Sequence, residues 1–322
     1  MSVQTGGHIP SPAIRMPAPR ALLPIASLLI LIAAIAFVQP NAISYFGFNL
    51  MLNLALPIAF ATIAQLCVIT VNDLDLSIGS FVSFVACIAA TVLKDEPALG
   101  VLILAGCIAV YAAVGALVHL RNLPSIVVTL GMSFVWLGAS VMVLPMPGGS
   151  APDWLRFIMK LKTPVVPFAI VAGIVLALVV HVVLMRSAAG AVLRGTGGNP
   201  AAIARAGWSL LKAKITMFAL AGFFGVLSGL SLVGLTTSAD ANIALRYTLL
   251  SVAGVILGGG EFVGGRVSPI GAVIGAMTLT LAGSLLSFLR ISPDWQIGAQ
   301  GAILIVVLAL RAVANRLEGA RR

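Results

Sequence analysis

Few residues in this 322-residue chain have chemistry beyond burying themselves. The densest exception is the stretch VNDLDLSIGS over 71–80. It places Asp73 and Asp75 two apart, followed by Ser77 and Gly79. From 21 to 72 there is no Lys, Arg, Asp or Glu, and 76–93 is again uncharged. Carboxylates in such a setting have three readings. Asp73 or Asp75 can cap the following helix, accepting N–H bonds from its first turn near the positive end of the helix dipole. They can line a translocation path. Or they can bind a proton or ion, at a cost of about 2.5–3.5 kcal/mol for a charge at mid-membrane even on translocon scales.

Other reactive constellations are missing from the sequence. The histidines are His8, His119 and His181, with no H-E-x-x-H spacing, so neither a metal site nor an intramembrane metalloenzyme is expected. Cys67, Cys87 and Cys107 lie inside apolar runs and read as small buried hydrophobes. No G-x-x-x-x-G-K-[ST] phosphate loop exists, and a dinucleotide reading of the glycine clusters lacks any βαβ context. The chain is therefore expected to hold no cofactor and not to be an enzyme.

The elements that position these residues follow from composition. The chain is 60% hydrophobic and 9% charged, against roughly 25% charged in a soluble domain. That makes it an all-α polytopic membrane protein, because lipid cannot satisfy free backbone groups. At about twenty apolar residues per crossing, ten spans are expected: 21–38, 48–71, 74–93, 99–118, 124–144, 164–185, 215–235, 249–259, 270–289 and 297–310. The eighth is short, so it either extends back to Arg246 or dips only partway. A Pro- and Ser-rich tail over 1–20 reads as disordered, 21–310 as a single membrane domain, and 311–322 as a basic tail.

With the N-terminus inside, ten spans place thirteen basic residues in the cytoplasm and six outside. That asymmetry follows the positive-inside rule. It explains the net charge of +10 without nucleic acid as a partner; membrane lipid is the partner implied. Both termini are then cytoplasmic. The loop 145–163 falls outside, and in it Trp154, Leu155, Phe157, Ile158 and Leu161 have helical spacing, as an interfacial anchor or a platform for an external partner would.

The loop 186–214 falls inside, with five basic and no acidic residues. Within it, Asn199 followed by Pro200 is a helix start. Ala201, Ala202 and Arg205 belong to about two turns of helix, and Gly207 ends them. Such a small-residue helix is either a structured turn or a docking peg. Further on, Gly258, Gly259, Gly260, Gly264 and Gly265 are too many for a helix interior and read as a bend or re-entrant turn. Gly271 and Gly275 have small-xxx-small packing spacing.

Four stretches carry a resemblance. GGNPAAIARAG (197–207), DLSIGS (75–80) and VILGGGEFVGGRVSPIGAVIGA (255–276), with ISPDWQIGAQGAILIVVLAL (291–310), resemble in order the permeases of ribose/xylose-type ABC sugar importers. The likeness runs from about 49 to 310. It implies about ten helices, a dimer of permeases, and a bacterial inner-membrane location. It also implies ATPase subunits docked on the loop helix through Gly198, Asn199, Ala202 and Gly207, and a periplasmic sugar-binding protein outside. The expected function is translocation of a simple sugar or polyol, with ATP hydrolysed by another chain. An ion-coupled secondary transporter is the alternative. The chain departs from the family pattern where Asn72 and Asp73 replace a Gly-Gly pair, and where Thr248 and Leu250 replace two acids.

Overall fold

The computed structural model describes residues 19–161, 163–262 and 264–292 and, singly, 295, 298, 301, 302 and 305. Nearly all of the expected tail 1–20, most of the expected tenth span 297–310, and the basic tail 311–322 lie outside the described residues.

The described chain is helical, with no β-strand and a single bridge between Gly148 and Ala239. In order come α1 (Pro19–Val38), a 3-10 turn at Pro40–Ala42, α2 (Tyr45–Met51), α3 (Ala55–Thr70) and α4 (Ile78–Ala90). There follow α5 (Val92–Asp95), α6 (Pro97–Leu120), α7 (Ser125–Val143), α8 (Asp153–Met159) and α9 (Phe168–His181), the last continued by a π turn over Val182–Arg186. The chain goes on through α10 (Ala188–Gly198), α11 (Pro200–Arg205), α12 (Leu210–Thr236), α13 (Tyr247–Leu257) and α14 (Pro269–Phe288).

Six of these are long and apolar enough to cross a membrane: α4 with α5, α6, α7, α9 with its π turn, α12 and α14. The pair α2 and α3, bent by 45°, makes a seventh if taken as one span. The apolar part of α1 (Pro24–Val38) and the whole of α13 are shorter. At 1.5 Å per residue, the 11 residues of α13 cover about 16 Å, half of a ~30 Å hydrocarbon core. The eighth expected span is thus a helix shorter than the hydrocarbon core, beginning directly after Arg246.

Uniform hydrophobicity has two origins here. On α7 it meets the outside, with Val127, Phe134, Val135 and Met142 exposed. On α3 and α4 it meets protein: 15 of 16 and 13 of 13 residues are buried. These two helices form the core, wrapped mainly by α12, α13, α7 and α14. α12 is the mast of the bundle, 27 residues or about 40 Å long. Close approach there depends on small residues: Gly225 faces Phe81 and Gly229 faces Val85.

Loops gather at the two ends of α12. At its C-terminal end, Gly234 lies against Leu155 and Met159 of α8, Ala151 N–H donates to Thr237 O (2.9 Å), and Ser150 N–H donates to Ala90 O (2.9 Å). At its N-terminal end sit α10 and α11. The loops 145–163 and 186–214 are therefore on opposite faces of the bundle.

Candidate functional site

Between α3 and α4 the chain leaves helical geometry for seven residues, of which Val71, Asp75 and Ser77 are buried, Asp73, Leu74 and Leu76 half-buried and Asn72 exposed. Non-helical backbone inside protein survives only where its polar groups are satisfied, and here side chains from other helices do so. Leu74 N–H donates to Ser125 Oγ (3.0 Å) and Leu76 N–H to Thr129 Oγ1 (3.0 Å), both on α7. With its amide oriented to satisfy both groups, Gln65 of α3 donates to Asp75 O (3.0 Å) and accepts from Asp75 N–H (3.2 Å).

Asp75 is fully buried. Its Oδ1 accepts from Ser77 N–H (2.7 Å) and Ser77 Oγ–H (2.6 Å), and its Oδ2 accepts from Tyr111 O–H (2.9 Å) on α6. This corrects the simple capping picture. Ser77 itself occupies the N-cap position of α4, so Asp75 closes a tight turn ahead of the helix rather than bonding its first turn. A first-turn N–H, that of Gly79, donates instead to Thr248 Oγ1 of α13 (3.0 Å). There is no room for a side chain at 79, where a Cβ would meet Thr248 Oγ1 and Leu245 O at 2.6 Å. Asp73 caps nothing. It pairs with Lys214 Nζ of α12 at 2.8 Å.

The face at the N-terminal end of α12 holds the other residues singled out by the sequence. Asn199 Oδ1 accepts from Ala202 N–H (3.0 Å), and Pro200 stands at the first helical position of α11. At the far end Gly207 N–H donates to Ala204 O (3.0 Å) and Trp208 N–H to Ile203 O (3.2 Å), a full Schellman closure. Gly207 has φ +84 with open space around its Cα; backbone conformation alone requires glycine there. No residue of α11 is buried. The helix is a fixed, capped and exposed projection, in which Ala201 and Arg205 are exposed and Ala202 is half-buried.

α11 stands on α10, where Ile203 packs over Gly195. In turn α10 meets the glycine bend. A Cβ on Gly265, which has φ +63, would strike Arg194 O, and one on Gly198 would lie 3.2 Å from Gly264 O. Gly259 and Gly264 also have positive φ, +93 and +91. By contrast Gly258 and Gly254 of α13 abut Gly271 and Gly275 of α14, backbone against backbone. The sequence cluster therefore divides into a helix crossing and a turn seated on the loop. An open groove of about 530 Å³ lies between α10, at Arg194 and Gly198, and the glycine bend, at Gly264 and Arg266.

Residues 47–308 match the family model described as branched-chain amino acid transport system / permease component. The chain belongs to this permease family. It is 30% identical over 310 residues to the probable ABC transporter permease protein YphD of Escherichia coli K12, covering 92% of each chain. It is 26% identical to the ribose import permease protein RbsC of the same organism, covering 88% of this chain and 90% of that one. It is 25% identical to that organism's galactose/methyl galactoside import permease protein MglC, covering 88% and 91%. No solved structure matches. The permease is thus a multi-pass inner-membrane component of an ABC transporter, not itself an enzyme, and works with an ATPase and a substrate-binding protein.

Several residues of the permease's polar framework escaped sequence reasoning. Gln65, Tyr111, Ser125 and Thr129 sit singly within apolar spans, and only contact with a distant segment gives them meaning. The helix α10 was also missed, although Ser187, whose Oγ accepts from Gly190 N–H (2.9 Å), is a readable cap ahead of an Ala-rich run.

Proposed function

We propose that this permease moves a simple sugar or related polyol into the cytoplasm, driven by ATPase subunits that dock on α11. The observation that carries the reading is α11 itself. A helix with no buried residue, fixed at both ends and resting on the end of the longest span, is built to be pushed. Its small side chains suit close approach, and the adjacent groove with Arg194 and Arg266 widens the docking surface. The sugar assignment is supported by the names of the ribose and galactose relatives; the family description names amino acids instead. Arg246, Thr280 and Ser284 share with Leu50, Ile58 and Leu279 the lining of a cavity of about 220 Å³ between α2, α3, α13 and α14, a mixed recess in which a small solute would meet both hydroxyls and apolar carbon.

In this reading α11 and both termini face the cytoplasm, α8 faces outward, and the chain crosses ten times with α13 as a partial span. Two copies, or this chain and a paralogue, form the pore. The test is reconstitution in nanodiscs with the ATPase and binding protein. Ala202→Trp should insert normally yet lose at least tenfold in solute-stimulated ATP hydrolysis. Full stimulation in that variant would reduce α11 to a structured turn. Uptake of radiolabelled leucine, with ribose, galactose and polyols all excluded, would overturn the sugar assignment.

A further inference from the structure

The helix α3 ends in a Schellman closure: Asn72 N–H donates to Ile69 O (3.0 Å) and Asp73 N–H to Val68 O (3.2 Å). The residue at the turn, Asn72, has φ +60. Glycine is the default there, and Asn is the side-chain-bearing residue that tolerates this conformation best. The Asn72 side chain has two long-range partners. Its Nδ2 donates to Gly197 O of α10 (2.6 Å), and its Oδ1 accepts from Gly264 N–H in the glycine bend (3.0 Å). The side chain of the next residue, Asp73, is 8% exposed and pairs with Lys214 on α12. Two adjacent residues thus fasten the helix break to three separate elements of the loop face.

We infer that Asn72 and Asp73 are positioning residues for transport, a polar clasp through which displacement of α10 and α11 is carried into the α3–α4 break. The route is short. Gly197 is two residues before the Asn199 cap of α11, and Asp75 is two residues beyond Asp73. Near Asn72 the contact between α10 and α3 has no slack: a Cβ on Gly197 would strike Thr70 O. The hydrogen bonds orient what the packing brings together. With the clasp intact, pushing the loop must move the break. With it cut, the loop and the break remain in contact but are free to slip. The inference rests on the docking reading of α11 for its functional consequence, though not for its geometry.

Asn72→Gly keeps the backbone conformation and removes both bonds. Asp73→Lys with Lys214→Asp reverses the ion pair, and each single variant breaks it. Hydrogen exchange of the 188–199 and 258–266 peptides should rise about two- to tenfold in Asn72→Gly, the range for one hydrogen bond of ordinary net strength. In the reconstituted transporter, solute moved per ATP should fall at least threefold while ATP hydrolysis stays within twofold. The reversed pair should recover more than half of what either single change loses. Unchanged exchange with an unchanged solute-to-ATP ratio would overturn the clasp. So would parallel loss of hydrolysis and transport with no rescue, which is the mark of a merely structural role. If the unaltered complex moved no solute, the transport reading would fail, while exchange in Asn72→Gly would still decide whether the clasp exists.

Discussion

The two loop-bearing faces of the bundle are held by different means. On the α8 face main-chain bonds carry most of the loop's ties, Gly148 with Ala239, Ser150 with Ala90, and Ala151 with Thr237, joined by two side-chain bonds, Lys94 to Ser150 Oγ and Tyr45 O–H to Thr163 O. The main-chain ties use groups that most residues carry, so at 148, 150 and 151 they do not depend on side-chain identity. On the α10–α11 face the ties are side-chain specific, through Asn72, Asp73 and Lys214, and the contacts are glycine backbone against backbone. A face that must transmit motion needs fixed lever arms, whereas one that presents a surface to a partner or to lipid needs only to keep its shape.

The sharpest break in this comparison is Gly265→Val. The left-handed φ costs a β-branched residue about 1–2 kcal/mol, and the overpacked Cβ against Arg194 O adds about 1–3. Detergent-solubilised protein should lose its thermal transition or shift it down by more than 10 °C. Near-normal stability would mean that the bend is not seated on α10.

Next comes the buried carboxylate. Asp75→Leu leaves Ser77 N–H and one of the two hydroxyls of Ser77 and Tyr111, which lie 3.1 Å apart and can still bond each other, without an acceptor, at about 1–3 kcal/mol for each group left unsatisfied, and expression should collapse. Asp75→Asn keeps an acceptor for Ser77 and should cost about 1–2 kcal/mol, with solute preference unchanged. Altered preference at normal stability would favour a path role over the turn.

Local features were legible in the sequence and non-local ones were not. A cap is a three-residue event, so Asn199, Pro200 and Gly207 announced α11 without help from the rest of the fold. Apolar length announced the spans but could not say what each span touches. Buried α3 and outward-facing α7 read alike, because Leu and Ile suit protein and hydrocarbon equally. The bonds from Asn72 reach 125 and 192 residues along the chain, and no periodic pattern encodes them. The replacement of a Gly-Gly pair by Asn72 and Asp73 was visible as a departure from the family pattern. Its meaning required knowing that Asn72 takes glycine's left-handed conformation and that a helix end and a turn lie within its reach.

A smaller effect is expected at Gly207→Ala. Nothing lies within 4 Å of the added methyl, so only the φ of +84 resists it, at about 1 kcal/mol. The end of α11 should fray without unfolding the bundle. Stimulated ATP hydrolysis should fall a few-fold, less than in Ala202→Trp, with the thermal transition unmoved. A larger fall than in Ala202→Trp would place the docking contact at the Schellman turn rather than on the helix face.

The smallest effect should come from the opposite face, at Phe157→Ser on α8. Leu155 is 4% exposed and Phe157 71%, so the helix is seated by one side chain and offers the other outward. With Trp154 and Ile158 also exposed, α8 has the apolar outer surface of an interfacial anchor. Removing a ring that touches little protein should change stability by no more than about 0.5 kcal/mol. Quenching of fluorescence by brominated lipid, read in a variant that keeps Trp154 and replaces the other three tryptophans, should persist in Phe157→Ser. Stimulation of ATP hydrolysis by the binding protein should also persist. If quenching persisted but stimulation fell tenfold, α8 would be a partner platform, and this face would prove as side-chain specific as the one opposite.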